Sequence, residues 1–169
     1  MSSLKCYTDR IETKVDRPVV SIRRLELQDA VPCAVLGKLM HEDSKYAHIP
    51  FDPLSVLHLA DAAILSKLQA WVAVDDGKIV GFLCIEKQRY FFNNAISIAN
   101  DLAFYILPAY RNIQLVKQFI TTVEQWCREN NIHALTLGVT APQDCVDTIR
   151  LYKRFGYTDW GMIVRKEFV

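Results

Sequence analysis

The fold is decided by residues 96–139, which read ISIANDLAFYILPAYRNIQLVKQFITTVEQWCRENNIHALTLGV. Residues 96–107 are rich in the β-branched and aromatic side chains that favour strands, and Pro108 ends that run. Apolar residues then recur at helical spacing, which predicts a helix over about 111–129. The nearly continuous apolar run 134–139 is typical of a strand inside a sheet. A strand–helix–strand unit of this kind predicts a right-handed crossover between two parallel strands.

The part of the chain before this unit predicts two helices enclosed by strands. Residues 19–25 alternate between apolar and polar side chains, as in a strand, and Asp29 is a good N-cap for a helix that runs to about Met40. Asp52 and Pro53 provide an N-cap and a first helical residue for the next helix. The side chains expected on the buried face of the first helix are Val31, Val35, Leu36 and Leu39.

Two further strands follow at 71–74 and 79–86, joined by the hairpin signal Asp-Asp-Gly-Lys. Beyond residue 139, the pattern predicts a short helix over about 145–155 and a last strand over 157–168. The whole order is β–α–α–β–β–β–α–β–α–β, which predicts an α/β protein with a mixed sheet and helices on both faces. We expect one domain over residues 18–169, preceded by an N-terminal arm (1–17) with room for a short strand.

Composition and charge exclude several classes of protein. A hydrophobic fraction of 51% argues against a disordered chain. The formal net charge of +1 provides no general attraction to nucleic acid or to an anionic membrane. No apolar stretch approaches the length of a membrane span. The five cysteines form no C-x-x-C pair, which indicates reduced thiols and a cytoplasmic protein.

Two short patterns carry a resemblance to a known family. Residues 108–117, PAYRNIQLVK, look like the segment P-x-Y-R-G-x-G-x-G/A, in which a strand ends and a helix begins on the diphosphate of coenzyme A. Residues 151–157, LYKRFGY, are close to the ending L-Y-x-x-x-G-F/Y. With the element order over 19–168, these patterns resemble the GNAT superfamily of acyl-CoA-dependent N-acetyltransferases. The resemblance implies a mixed, mostly antiparallel sheet of six to seven strands.

The resemblance also implies acetyl-CoA as a cosubstrate and no metal. A helix N-terminus presents unpaired N–H groups and a partial positive charge, so it suits a diphosphate. In the family, the main chain at the end of the preceding strand pairs with the pantetheine arm. The residues expected to hold the cosubstrate are therefore Tyr105, Ile106, Leu107, Arg111, Asn112, Gln114, Leu115, Val116 and Lys117.

The sequence departs from the family pattern at this helix. Gln114 and Val116 occupy two glycine positions of the motif, and Asn112 follows Arg111 where the family has another glycine. Glycine allows phosphates to come close to the main chain. Two functions therefore remain open: transfer of an acetyl group from acetyl-CoA to a primary amine by direct attack, or a non-catalytic binding module on the GNAT fold that has lost conventional CoA binding.

Two residues are candidates for proton transfer. By the resemblance, Tyr152 is the general acid that protonates the departing thiolate. Asp101 is the acid on strand 96–107 and is a candidate for the base, because apolar neighbours raise the pKa of a carboxyl. A strand-end residue on a solvated face is the other interpretation of Asp101, and Glu86 is a second candidate for the base. Cys145 is interpreted as a spectator thiol.

The acceptor is expected to bind at the loop between the first two helices, as in the family. Tyr46, His48 and Phe51 are the candidate substrate-binding residues, and Glu42 and Asp43 are placed to attract an amine. The histidines of this loop do not have metal-ligand spacing. An amine on a small molecule or on a protein fits this interpretation, the neutral charge argues against a nucleic-acid acceptor, and a homodimer remains open.

Overall fold

The computed structural model describes residues 20–66, 68–139, 145–161 and 163–168. In this part of the chain, five strands form one sheet in chain order. The strands are β1 (Ser21–Arg24), β2 (Gln69–Asp75), β3 (Lys78–Tyr90), β4 (Asn93–Ile106) and β5 (Ile132–Thr136). The helices are α1 (Ala30–Glu42), α2 (Pro53–Ile64), α3 (Ile113–Glu129) and α4 (Cys145–Arg154), with short 3-10 turns at Leu27–Asp29 and Pro108–Tyr110.

Strands β1 to β4 pair antiparallel, and β5 lies parallel to β4. Successive residues of β2 point to opposite faces of the sheet. On one face, Trp71 packs with Phe119 of α3. On the other, Val72 packs with Cys33 and Leu36 of α1. The expected α/β fold, with a mixed and mostly antiparallel sheet covered by helices on both faces, is therefore confirmed. The unit from β4 through α3 to β5 brings the end of β4 next to the start of α3.

The sheet has fewer strands than expected. The described residues give five rather than six to seven, because 157–161 and 163–168 form no strand and do not join the sheet. Instead, this C-terminal segment lies against the α1–α2 loop, where Glu167 is 2.9 Å from the His48 ring and Arg165 lies 4.9 Å above the ring of Tyr46. The short strand expected within 1–17 lies outside the described residues.

The hairpin signal and the signal for the start of α2 are realised locally, whereas the Asp29 carboxylate makes no cap hydrogen bond to α1 and instead accepts from Arg23 and from the Glu26 N–H. Asp76 (φ 46°) and Gly77 (φ 74°) form the two-residue turn between β2 and β3, and Gly77 takes positive φ at little cost because it has no Cβ. The Asp52 carboxylate accepts the Leu54 N–H at 3.0 Å and caps α2, with Pro53 as its first residue. Among the described helices, none combines the length and the apolar character needed to cross a bilayer.

The apolar face of α1 differs from the expectation. Leu36 is buried as predicted, and it is joined by Ala30 and Cys33. The remaining predicted core positions are exposed: Val31, Val35 and Leu39. Helix α1 carries apolar residues on two sides, and it buries the side that fits the sheet.

Candidate active site

The central feature of the site is a gap between β4 and β5. The two strands pair only from Ser97 and Ile132 to Asn100 and Thr136. Strand β5 ends there, whereas β4 continues for six more residues, to Ile106. We call the space between residues 101–106 of β4 and residues 137–139 the gap. One edge of β4 is left without a β5 neighbour along the gap, so its main-chain groups are placed to bind an extended ligand.

A β-bulge determines which main-chain groups face the gap. Cys84 pairs with Ala103 and Ile85 with Asp101, so Leu102 is an extra residue in β4. Beyond the bulge, the Leu107 N–H donates to the Val80 carbonyl at 2.9 Å. Antiparallel pairs alternate between bonded and non-bonded residues, so the main chain of Tyr105 and Leu107 turns towards β3, and that of Phe104 and Ile106 turns towards the gap.

Asp101 lies where β4 and β5 separate. Its Oδ1 accepts the N–H of Gly138 at 2.8 Å, a contact that links the two sides of the gap. Burial raises the pKa of the Asp101 carboxyl to about 6, although the hydrogen bond from Gly138 opposes this rise. A carboxyl with this pKa is mostly ionised at neutral pH and can still accept a proton there.

Tyr152 lies buried on α4, within range of the charge of Asp101. Its side chain is 7% exposed, and its ring centroid lies 5.9 Å from that of Tyr157. Burial raises the pKa of the Tyr152 phenol, and the negative charge of Asp101 raises it further. The charge of Asp101 thus acts on Tyr152, which lies 51 positions later in the sequence, and the phenol stays protonated at neutral pH.

The N-terminus of α3 is partly occupied by its own N-cap. The Asn112 side chain accepts the Leu115 N–H at 2.9 Å, and the Asn112 carbonyl accepts the Val116 N–H at 3.2 Å. Helix geometry leaves the N–H groups of Ile113 and Gln114 outside the intrahelical hydrogen bonds, and includes that of Lys117 among them. The amides expected to bind a diphosphate here are those of Gln114, Leu115, Val116 and Lys117. Of these, the Gln114 amide is the one left without a hydrogen bond by the helix and its N-cap.

Arg111 lies at the far end of the open edge. Its Nε donates to the Ile106 carbonyl at 2.9 Å, and its guanidinium lies 3.2 Å from the Asp43 carboxylate and 5.3 Å from the centre of the Tyr105 ring. The Tyr105 hydroxyl also donates to Asp43, at 3.1 Å. Burial and the contact with Asp43 raise the pKa of Tyr105. The sequence placed Arg111 at this site but gave no signal for its contact with Asp43, 68 residues earlier.

The three predicted acceptor residues have different surroundings. Tyr46 lines an apolar cavity between the α1–α2 side and the sheet. His48 faces the C-terminal Glu167, and Phe51 packs against the ring of His41 with the centroids 5.4 Å apart. Only Tyr46 of the three lies on the cavity wall.

Glu86, the second candidate for the general base, lies outside the gap. Glu86 pairs in register with Asn100, before the strands separate, and accepts a hydrogen bond from Gln88 at 2.5 Å. The described cysteines, Cys33, Cys84, Cys127 and Cys145, are free thiols. Within the described ranges, the histidine, cysteine and carboxylate side chains form no group of three or more that suits a metal.

A mixed sheet that opens between two parallel strands, beside the N-terminus of the helix that connects them, defines an α/β protein with a site for an extended anionic ligand. The model of the acetyltransferase (GNAT) family matches residues 36–157, which include the gap, α3 and Tyr152. The chain belongs to this family. A comparison with curated protein sequences gives no match.

Solved structures with this fold cover nearly the whole chain. A ribosomal-protein-alanine N-acetyltransferase from Brucella melitensis biovar Abortus 2308 is 21% identical, with a TM-score of 0.70 over 89% of this chain and 100% of its own. A predicted acetyltransferase with acetyl-CoA from Clostridium acetobutylicum is 14% identical (TM-score 0.72; 88% and 96% covered). An aminoglycoside acetyltransferase from an uncultured soil metagenomic sample is 14% identical (TM-score 0.69; 89% and 99% covered). At these identities, the likeness shows the fold.

Proposed function

We propose that this protein transfers an acetyl group from acetyl-CoA to a primary amine by direct attack of the amine. The observation that carries the proposal is the position of Asp101 at the gap, with its charge acting on the buried phenol of Tyr152. Both have pKa values raised by burial, and a base and an acid are the two groups that the reaction needs. We place this activity in the cytoplasm, where buried free thiols such as Cys33 and Cys84 stay reduced.

The residues present fit the donor. Acetyl-CoA supplies the activated acyl group as a thioester. The gap-facing main chain of Phe104 and Ile106 provides N–H and C=O groups for its extended arm. The amides of Ile113 and Gln114 provide donors for its diphosphate. Arg111 adds a positive charge beside these groups, although it shares that charge with Asp43.

Asp101 and Tyr152 have complementary roles in the transfer. A primary amine must be neutral to attack, and the new N–C bond forms as the C–S bond breaks. Asp101 receives the proton that the amine nitrogen loses. Tyr152 supplies a proton to the departing sulfur. Because burial keeps the phenol protonated, Tyr152 is in the correct state to act as this acid.

The same geometry also favours a second candidate, a binding module without catalysis. Asn112 occupies the Leu115 amide, and Arg111 occupies the Ile106 carbonyl, so two groups that would contact the cosubstrate already have partners. If both contacts persist, acetyl-CoA binds weakly or not at all. Binding and turnover must therefore be measured separately.

The test combines thermal stability with thiol release. A ligand that binds only the folded state stabilises it by about 2.7 kcal/mol at a hundredfold excess over Kd, or roughly 5–10 °C in Tm for a chain of this size. We expect acetyl-CoA to raise the Tm in this range and free thiol to appear when a primary amine is added. The Tyr152→Phe variant should keep the Tm shift and lose roughly a hundredfold or more in kcat.

Tyr157→Phe is the matched control, because the Tyr157 ring lies beside Tyr152 but its hydroxyl contacts Glu124 of α3 at 3.3 Å. We expect this variant to keep its activity. Full activity of Tyr152→Phe would remove the acid from the mechanism. The absence of any Tm shift with acetyl-CoA would instead support the non-catalytic alternative.

A further inference from the structure

The apolar cavity beside the gap has a volume of about 220 Å³. It lies between the two N-terminal helices and the sheet, with Met40 and Val56 from the helices and Phe82 and Ala103 from the strands. Side chains that contribute only carbon make up most of the wall. Small residues on both sides, such as Ala63 of α2, leave the space open.

The charges around the cavity do not suit a polycation. None of the described residues that line it is acidic. The carboxylate of Asp43, at the start of the α1–α2 loop, is balanced by Arg111 at 3.2 Å and accepts the Tyr105 hydroxyl at 3.1 Å. Asp43 was expected to attract an amine, but its charge is already compensated within the protein.

The polar atoms of the wall are few, and some are already bonded. The Ser44 hydroxyl donates to the His41 carbonyl at 2.8 Å. Burial raises the pKa of the Cys33 thiol to about 12 and that of Cys84 to about 11, so both remain neutral and act as small apolar groups. A ligand in this cavity therefore gains mainly from the burial of apolar surface.

The cavity borders the strand that carries the proposed base. Leu102 and Ala103 form part of its wall, and Asp101 directly precedes them in β4. The bulge at Leu102 separates a residue that faces the gap from residues that face the cavity. Asp101 pairs with Ile85, which belongs to the core on the α3 side of the sheet, so an amine on a body inside the cavity must reach through the gap to the proposed base.

We infer that the acceptor is a primary amine carried on a compact apolar body, such as an alkyl chain or an aromatic ring with a short arm. This inference rests on the proposed function, because it names the substrate class of the same site. An apolar cavity of about 150 Å³ holds benzene, so the larger volume here holds a body of about nine carbon atoms. Apolar surroundings also favour the neutral amine over the ammonium ion, and the neutral form is the nucleophile.

A homologous series of linear alkylamines tests the inference in the thiol-release assay with acetyl-CoA. Each buried methylene should raise kcat/KM roughly three- to fourfold, up to about nine carbons, after which the gain should stop. Spermidine and an aminoglycoside, which carry several charges, should be poor acceptors. A flat dependence on chain length, or a preference for the polycations, would overturn the inference.

Two variants locate the effect in the cavity. Ala63→Leu adds three carbons to the wall and should shorten the best chain by about three carbons, whereas Val56→Ala removes two and should lengthen it. Ala62→Leu is the matched control: Ala62 is the neighbouring half-buried alanine of α2 and does not line the cavity. The same shift in Ala62→Leu would overturn the assignment to this cavity.

A binding measurement separates this inference from the proposed function. Calorimetry with hexylamine and octylamine, without acetyl-CoA, reports occupation of the cavity in the absence of turnover. Binding that strengthens with chain length and is weakened by Ala63→Leu supports the apolar site. If such binding occurs but no thiol is released, only the proposed function fails. Thiol release with spermidine but no binding of either alkylamine keeps the proposed function and refutes the apolar acceptor.

Discussion

Asp101→Asn should make the protein more stable and less active. The variant keeps an oxygen that can accept the Gly138 N–H, so the contact across the gap can be retained. It removes a carboxyl whose pKa is raised from 3.8 to about 6 by burial. A carboxyl with a raised pKa stabilises the folded state only at low pH, and this contribution is lost as the pH rises through 6.

The magnitude follows from the two pKa values. At about 1.4 kcal/mol per pH unit, ionising Asp101 in the folded protein costs up to about 3 kcal/mol at pH 8 and about 1 kcal/mol at pH 4.5. The asparagine variant does not pay this cost. Its advantage in free energy of unfolding should therefore grow by about 2 kcal/mol between these pH values.

Urea denaturation of both proteins at pH 4.5, 6 and 8 measures this advantage, and pH–rate profiles complete the test. In the unmodified protein, kcat/KM should rise with pH through about 6, and this limb should be absent in Asp101→Asn, together with most of the activity. Asp147→Asn is the control, because this carboxylate is exposed and pairs with Arg150 on the surface of α4. An advantage of Asp101→Asn that is independent of pH would refute the reasoning, since burial of the charge would then not be its cause.

Two further substitutions test the main chain around the site. Gly81→Ala should destabilise the fold by about 1–3 kcal/mol in urea denaturation. A Cβ at this position would lie 2.9 Å from the Tyr105 carbonyl, which cannot move unless β4 moves with it. Gly138→Ala is the control: a Cβ there would have its nearest contact at 3.5 Å, so the free energy of unfolding should change little. Asn112→Gly should tighten acetyl-CoA binding several-fold in calorimetry, because it releases the Leu115 amide, while costing only a few tenths of a kcal/mol in capping. Unchanged affinity in the last case would show that this amide does not contact the cosubstrate.

The fold was predictable because its signals are local. The turn at Asp76 and Gly77 and the cap at Asp52 each depend on a few adjacent residues. The sequence also located the strand–helix–strand unit that contains the gap. By contrast, the spacing of apolar residues did not identify the buried face of α1. This helix has apolar residues on two sides, so its sequence is compatible with burial of either side. Contact with the sheet at Val72 and Phe82 selects the side that carries Cys33 and Leu36.

The details of the gap were not predictable, because they depend on where strands stop pairing. The apolar pattern extended the last parallel strand to residue 139, whereas β5 ends at Thr136. A longer pairing would leave a shorter open edge. The bulge at Leu102 likewise depends on the register between β3 and β4, and no residue type marks it in the sequence. The roles of Asp101 and Tyr152 remain predictions, but the position of Asp101 at the gap follows from these long-range pairings.

The replaced glycines of the family motif do not all have the same consequence. Val116 packs against the core, and its N–H is already bonded to the Asn112 carbonyl. Gln114 lines a groove between α3 and β1, away from β5. Neither replacement therefore needs to obstruct the open edge of β4, and Asn112 is the replacement that binds a donor at the mouth of the helix. The departure from the family pattern is concentrated in one side chain whose hydrogen bond a diphosphate can replace, because an anion accepts an N–H more strongly than a neutral amide does.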